Sequence, residues 1–568
     1  MEQARPSGRH RLRKLSLLAG VAAAYAEPAA AQMQMGWPLR APWVSPGFHP
    51  GIVKFGTATP SPTPSPTPTP TPTPSGPVPT LVPGTTAIGS WAATATPAVQ
   101  GSGDTTPPVM AWIKVPRSGV TASDKRICVF AMHPPNSTEY SHGITNAMSK
   151  VRLIANNGTP VDITATTSAN VADYPLYCAD LDQSAYGANA YTEIRAIGYP
   201  TNGTPMVLQG DDSSLQDNVI SSTKQGRWSL FVVANYTPRK YFVGGTGAND
   251  ANSCTDAAHP CATPSGAKAK LGSGDYSNVE VCLTEGSWSV GSDSTYRTAS
   301  RGWYTITACP GAAKANVKIT GWGVDNSGTY VNYTAVRGVT MRGYKFNGPT
   351  TGPNAFWLDD VNWVNSSSGS CAITGTTCTY PFNTDAGRIK GGQFFTNTLF
   401  SYFVNGPKAG ILNLKVTIDT ISADAFQNAT TIISSTVRNT IWCCSNHPDF
   451  NQMFSSTFWN HVVVNNVATE NNVFQAFFQS SPGGVLNNAV YADNQMDGSA
   501  GPTLYNIFNM SNGASNVYFL RNVLTGAYGA HGAPATSWHF VDNVCFLGAG
   551  GLGSSISGWT IRNSPTCQ

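Results

Sequence analysis

Charge is what this chain has least of. Only 11% of its 568 residues are Asp, Glu, Lys or Arg, against roughly 25% in an average soluble protein. The formal net charge is +4, and no basic stripe follows the first fourteen residues, so nothing points to nucleic acid as a partner. Apolar runs are short as well. None approaches the roughly 18 residues that a membrane-spanning helix requires. No C-x-x-C pair has a matching second half, which removes the usual zinc spacing.

What is abundant is glycine (56), proline (40) and cysteine (12). This composition suits an extracellular β-protein better than a helical cytosolic enzyme. The start of the chain agrees. Arg5, Arg9, Arg11, Arg13 and Lys14 precede an apolar segment from Leu15 to Tyr25, and Ala29-Ala30-Ala31 offers small residues for cleavage. That is the profile of a secretory signal, residues 1–31. The expected location is therefore secreted, extracellular or at the cell surface. The cysteines fall into close neighbours: Cys128/Cys178, Cys254/Cys261, Cys282/Cys309, Cys371/Cys378, Cys443/Cys444 and Cys545/Cys567. Disulfides in an oxidising space fit that pattern, although the spacing does not fix which cysteines are joined; Cys443 and Cys444 are the odd pair because adjacent residues strain when bridged.

Along the chain, residues 32–56 have no clear period and receive no assignment. Residues 57–105 form a Pro/Thr-rich linker, its first half an expected polyproline II spacer. Residues 106–236 carry period-2 runs between Gly, Asn and Pro turns: Ala111–Val115, Ile127–Ala131, Val151–Ala155, Leu176–Cys178, Glu193–Ile197 and Leu230–Ala234. They predict a β-sandwich. From the apolar strand at Val151 into Asn156-Asn157-Gly158, and from Cys178 to Asp182, the segment resembles bacterial Ig-like modules. That resemblance implies either glycan binding or a packing role.

The last domain, 237–568, contains the repeat around which the chain is organised. Asp424-Ala425-Phe426-Gln427, Asp449-Phe450-Asn451-Gln452 and Ala476-Phe477-Phe478-Gln479 recur, with the two Asp 25 residues apart and the three Gln 25 and 27 apart. Apolar runs ending in Asn recur beside them, at Asn439, Asn466, Asn494, Asn522, Asn543 and Asn563. A period of 20 to 28 residues built from short Val/Ile/Thr/Phe runs predicts stacked rungs of β-strand. The Asn series is expected to be a structural ladder at a rung corner, each side chain bonding its neighbours above and below.

The opening Lys240-Tyr241-Phe242-Val243-Gly244-Gly245-Thr246-Gly247, the later Pro260-Cys261-Ala262-Thr263-Pro264 and a helix-prone piece at Ala267–Leu271 resemble the start of pectate-lyase-like right-handed parallel β-helices. The implied fold class is all-β: a right-handed parallel β-helix (solenoid) behind an N-terminal Ig-like β-sandwich. In that superfamily the fold hosts lyases, hydrolases, epimerases and surface proteins, so it names no activity.

The Asp/Gln series is where chemistry is expected. On adjacent rungs Asp424 and Asp449 would lie about 4.8 Å apart, and His447, two residues before Asp449, would share its face. Two such carboxylates repel, so they serve either as an acid and its ionised partner or as a cation site for Ca²⁺. The expected catalytic groups are thus Asp424, Asp449 and His447, with Asp424 and Asp449 as possible metal ligands. Gln427, Gln452, Gln479, Arg438, Lys408 and Tyr402 are the expected substrate-binding residues; of Phe426, Phe450, Phe474, Phe477 and Phe478 several are expected in the core and the others as stacking faces for sugars. The function expected is a secreted polysaccharide-cleaving enzyme, leaning to a lyase on an acidic polysaccharide. The alternatives are a glycoside hydrolase using the Asp pair and a non-catalytic glycan-binding surface protein, as monomer or homotrimer. Asn383-Thr384-Asp385, Arg388-Ile389-Lys390 and Ala530-His531-Gly532 echo pieces of the polygalacturonase signature in the wrong order and are read as chance.

Overall fold

The computed structural model describes residues 77–85, 107–133, 148–208, 230–291 and 302–322, apart from short interruptions, and from 334 onward the strands and several of the corners between them. All belong to one compact unit, Thr71–Gln568. The chain is all-β apart from a short helix at Pro264–Ala269 and a single 3₁₀ turn at Lys314–Asn316 among the described residues.

The N-terminal part is two five-stranded sheets. One takes Thr80–Leu81, Tyr174–Leu181, Arg126–Met132 and Val109–Lys114 in that spatial order, with Ser168–Val171 beside Tyr174–Leu181. The other takes Leu230–Ala234, Ala190–Pro200, Met148–Ala155 and Val161–Ile163, with Met206–Val207 on Ala190–Pro200. All six runs expected from sequence are strands here. Their alternation places Val151, Leu153, Ile194 and Ala196 in one core with Ile127, Val129, Tyr177 and Ala179. Cys128 and Cys178 stand directly opposite one another in the ladder and are bridged.

One boundary moves. Thr80 and Leu81, inside the stretch read as linker, pair in parallel with Asp180 and Leu181. Leu81 is fully buried. Pro79 and Pro83 flank the pair and withhold donors, which an edge strand tolerates. Gly84 then crosses the turn at Asn157, its amide donating to Ala155 O (3.0 Å). A Cβ at Gly84 would fall 2.2 Å from the Asn157 carbonyl carbon, so only glycine allows that approach.

From Arg239 onward, successive strands are dealt in turn to parallel sheets. Among the described residues the first sheet has thirteen strands, from Arg239–Val243 to Thr560–Arg562. The second has eleven, from Gly286–Gly291 to Val544–Leu547. The third has eight, from Phe346–Asn347 to Ala530–His531. The chain therefore returns to each sheet once per turn and stacks the turns as rungs. The inward columns meet in one core, which includes Val281, Ile306, Val336, Met341, Phe426, Val437, Val463, Phe477, Tyr491 and Phe519.

The helix expected at 267–271 lies slightly earlier, at Pro264–Ala269. Thr263 caps it by accepting from Gly266 N (2.9 Å), and Asp250 holds Thr263 by accepting from its N and Oγ1 (both 2.9 Å). Pro at the first turn costs no hydrogen bond there. Ala267 joins the core, and the disulfides Cys254–Cys261 and Cys282–Cys309 fasten the first rungs.

With Cys128–Cys178 these make three disulfides among the described residues, each joining two cysteines that are close neighbours in the series. Cys371, Cys378 and Cys567 lie outside the described residues, as do Cys443 and Cys444. Cys545 lies on the second-sheet strand Val544–Leu547, beside Leu524.

One corner explains the Asn series. Asn466 Nδ2 donates to Asn494 Oδ1 (2.8 Å), and Asn494 Nδ2 donates to Asn522 Oδ1 (2.8 Å). Each amide also bonds the backbone of the preceding rung, at Ile432, Val463 and Tyr491 (each 2.9 Å). Asn439 does not belong to this ladder. It lies within the second-sheet strand Thr436–Thr440, and the ladder position on that rung is Ser435, whose N–H donates to Asn466 Oδ1 (2.9 Å). The left-handed residue is the one before each ladder position: Ser434, Asn465, Asp493 and Arg521, with φ between 50° and 56°. Asn543 and Asn563 lie outside the described residues.

The sandwich is not suspended clear of the rungs. Val109, Ala111, Ile113, Phe130, Met132 and Leu176 form one buried cluster with Ile433, Val462, Val464, Val490, Ala492, Tyr518 and Leu520 on the outer face of the first sheet. Asn488 Nδ2 reaches across to Pro108 O (2.9 Å). This contact accounts for the unbroken apolar runs Val462-Val463-Val464 and Val517-Tyr518-Phe519-Leu520, because a sheet covered on both faces shows no alternation.

Candidate functional site

The third sheet carries the Asp/Gln repeat, and its register is regular. Phe346, Phe382, Val404, Phe426, Asn451, Phe477, Phe508 and Ala530 form one column, and Asn347, Asn383, Asn405, Gln427, Gln452, Phe478, Asn509 and His531 form the next. Gln427 and Gln452 are therefore rung neighbours, as the spacing of 25 predicts. Gln479 is not in that column. It pairs with Met453, while Phe478 pairs with Gln452, because the spacing to this rung is one residue longer than the register between the two strands.

Asp449 lies on the strand Asp449–Phe454, its carbonyl accepting from Ala425 N (2.8 Å). Below it the same register holds Gln475 and then Asn506, so the acid is not repeated in that direction. Asp449 is 2% exposed and Gln452 2% exposed. This rung does not present its polar groups to bulk water. Asp424, His447, Lys408 and Tyr402 lie outside the described residues. Phe426, Phe450 and Phe477 are core: they are at most 1% exposed and contact one another edge-on at 5.4 and 6.3 Å. They are not sugar platforms.

Asn451 replaces a large apolar residue in the inward column. Its Nδ2 donates to Phe426 O (3.2 Å), and its Oδ1 lies 3.1 Å from His461 Nε2. His461 packs on Tyr491 at 5.3 Å between ring centres, and complete burial pushes the Tyr491 hydroxyl well above the usual phenol range. This buried polar pair sits inside the stack and fixes the rung rather than facing a ligand.

Arg438 is on a different sheet from Asp449. It lies in Thr436–Thr440 of the second sheet, and its rung neighbour is Asp419. The column through them runs Arg342, Val364, Phe395, Asp419, Arg438 and Thr469. A second outward column holds Lys318, Thr340 and Asn362, and further along Gln393, Thr417, Thr436, Val467, Gln495 and Val523. Between them the inward column, with Met341, Val437 and Ala468, is buried. Lys318, Asn362, Thr436, Val467 and Val523 are half-buried and Gln495 is exposed; among the described residues of this column Thr340 is the buried one, its hydroxyl donating to Lys314 O (3.1 Å).

The three faces thus differ. The first sheet is covered by the sandwich around Ile433, Val462, Val490 and Tyr518, the third is closed at Asp449 and Gln452, and the second keeps half-buried or exposed positions at Lys318, Asn362, Thr436, Val467, Gln495 and Val523. At about 4.8 Å per rung, the nine strands from 317 to 526 span about 38 Å. Asp419 was missed in the sequence because it precedes the repeat; its signal is the same spacing that places Thr417 beside Thr436. Asn383 and His531 share a column but stand six rungs apart, and Arg388–Lys390 lies on the first sheet, so the polygalacturonase-like pieces do not converge.

Among the described residues no three His, Cys, Asp or Glu side chains group as a metal site, and no helix is long and apolar enough to cross a membrane. The Ca²⁺ expectation rests on Asp424 and Asp449, and Asp424 lies outside the described residues. The three disulfides fit an oxidising compartment. No family model, curated protein or solved structure matches this chain.

Proposed function

We propose that the three-sheet stack is a right-handed parallel β-helix of the pectate-lyase-like kind, with an Ig-like sandwich clamped to its side, and that the protein acts on an extracellular polysaccharide. The observation that carries this reading is the open face of the second sheet. Repeating rungs give it equally spaced polar positions, which suit an extended polymer with its own repeat better than a compact ligand. Asp419 and Arg438 stand side by side near its middle, and the guanidinium has the fork geometry that receives a uronate carboxylate.

Cleavage is proposed as a lyase reaction on an acidic polysaccharide, with Arg438 offsetting the uronate charge. The low overall charge and the buried Asp449 favour a second reading, non-catalytic retention of the polymer along the same face. Incubation with acidic and neutral polysaccharides separates them. An unsaturated-uronate chromophore signals elimination, reducing ends without it signal hydrolysis, and retention without either signals binding alone. Failure of all three across a broad panel removes the polysaccharide reading.

A further inference from the structure

The outer face of the first sheet carries a second polar cluster where the end of the sandwich meets the early rungs. Tyr236 follows the last sandwich strand and packs with Val233 against Trp303, Ala335 and Trp357. The register below it runs Glu280, Thr305, Ala335, Trp357 in one column and Thr307, Arg337, Asp359 in the next outward one. Thr305 and Trp357 are two rungs apart, so the patch measures about 10 Å along the stack.

Its hydrogen-bonding capacity is unbalanced. Trp357 Nε1 and Arg337 Nε are buried donors with no acceptor within hydrogen-bond distance. The Tyr236 and Thr305 hydroxyls face each other, and only one of two hydroxyls can donate to the other, so a third donor proton is left over. Burial pushes the Tyr236 hydroxyl up to about 12, with the Thr305 hydroxyl and Arg337 acting in the opposite direction and Glu280 reinforcing it. Tyr236 therefore stays a protonated donor at all physiological pH. Glu280, with Lys240 3.8 Å from it, and Asp359, the rung neighbour of Arg337, are the carboxylates beside the patch. On the next rung the register places Arg388 beside Trp357 and Lys390 beside Asp359. The Arg-Ile-Lys piece that resembled a misplaced catalytic motif thus stands at the edge of this patch.

A buried indole N–H and a guanidinium N–H left without acceptors each carry the full cost of their lost hydration. Such donors converge where an acceptor-only group is to be received, and domain junctions are favoured places for it. We propose that this junction between sandwich and stack binds a small oxyanion, a sulfate or a carboxylate, held by Trp357 Nε1, Arg337 and the Tyr236/Thr305 hydroxyls. Arg337 is only partly buried and forms the approach from solvent. The group binds on the face of the stack that meets the sandwich, apart from the second sheet, so it locks the sandwich in place rather than taking part in polymer binding.

The test is thermal denaturation and calorimetric titration of the full chain with inorganic sulfate, with glucuronate as a planar carboxylate source, and with sodium chloride at matched ionic strength. Sulfate or glucuronate is expected to bind and raise the melting temperature, with chloride much less effective. Trp357→Phe, which keeps an aromatic ring and removes the N–H, is expected to weaken binding several-fold, and Arg337→Gln at least tenfold. Should Arg337→Gln fail to fold, Tyr236→Phe replaces it, with several-fold weakening expected. Equal effects of all three salts, or unchanged affinity in Trp357→Phe, would overturn the site. Activity on polysaccharides is read separately, so loss of that reading leaves this one standing.

Discussion

Replacing Asn494 by Ala tests how the rungs are joined. Its Oδ1 accepts from Asn466 N (3.1 Å) and Asn466 Nδ2 (2.8 Å), and its Nδ2 donates to Val463 O (2.9 Å) and Asn522 Oδ1 (2.8 Å). Alanine removes all four bonds within a fully enclosed corner, where Asn494 is 1% exposed. Three groups are left short of a partner: the Asn466 N–H, one of its amide protons and the Val463 carbonyl. At roughly 1–3 kcal/mol for each buried group left unsatisfied, with water entering the vacated room, the expected loss is about 3–5 kcal/mol. A chain of many rungs has no single unfolding transition, so the loss is read locally, as faster hydrogen exchange at Asn466 and its rung neighbours. Asn465→Ala is the control. Its side chain is exposed and makes one described bond, to Ser434 Oγ (3.0 Å), so the expected loss is about 1 kcal/mol or slightly more, including the left-handed backbone cost. If Asn494→Ala costs no more than Asn465→Ala, the ladder does not hold the corner together.

Further outcomes follow from the same geometry. Arg152 bonds Asp162 through two nitrogens (2.6 and 2.9 Å) and holds its carboxyl at about 2, below the ordinary carboxylate value. This stabilisation is fully present above an unfolded pKa of about 3.9 and is lost as pH falls through about 2. Asp162→Asn is expected to flatten that part of a stability–pH curve by at most about 1 kcal/mol, as the pair is partly exposed. Arg521 occupies a left-handed position (φ 51°) and pairs with Asp493 through two nitrogens (2.8 and 2.7 Å). Arg521→Gly relieves the backbone and loses the pair, so thermal stability is expected to shift by less than about 1 kcal/mol, whereas Arg521→Val should lose more than that. Val490→Asp puts a charge into the contact between sandwich and stack, where Val490 is fully buried. It is expected to expose Val109–Met132 to proteolysis; unchanged digestion would mean that the sandwich does not depend on that contact.

Several features of this fold were legible because they repeat without insertion. Asn466, Asn494 and Asn522 are each 28 residues apart, and their ladder follows directly. The same logic misplaced Asn439, since one rung uses Ser435 at the corner and stands 31 residues from Asn466. It also misplaced Gln479, where one extra residue shifts the register and puts Phe478 beside Gln452. A one-residue slip is invisible to a spacing count, yet it moves a side chain to the other face of the sheet. The open second sheet escaped notice for a different reason. Strands such as Asn362–Val364 and Gln393–Phe395 are three residues long, too short for an alternation to register. The contact with the sandwich left only an indirect sign, the unalternating Val462-Val463-Val464, which reads equally as any buried strand. Asp449 shows the remaining gap. Sequence recognised a repeated acid beside a histidine, but its exposure depends on what covers the rung, and that is not local.

The central claim is that a polysaccharide lies along the second sheet. Hydrogen–deuterium exchange with and without the polysaccharide that the panel selects tests it most directly. The account predicts slower exchange at the second-sheet strands and their corners, with Arg438→Gln abolishing the effect, and no change in Val462–Val464 beneath the sandwich. Protection confined to the sandwich or to the third-sheet rung at Asp449–Phe454 would contradict it.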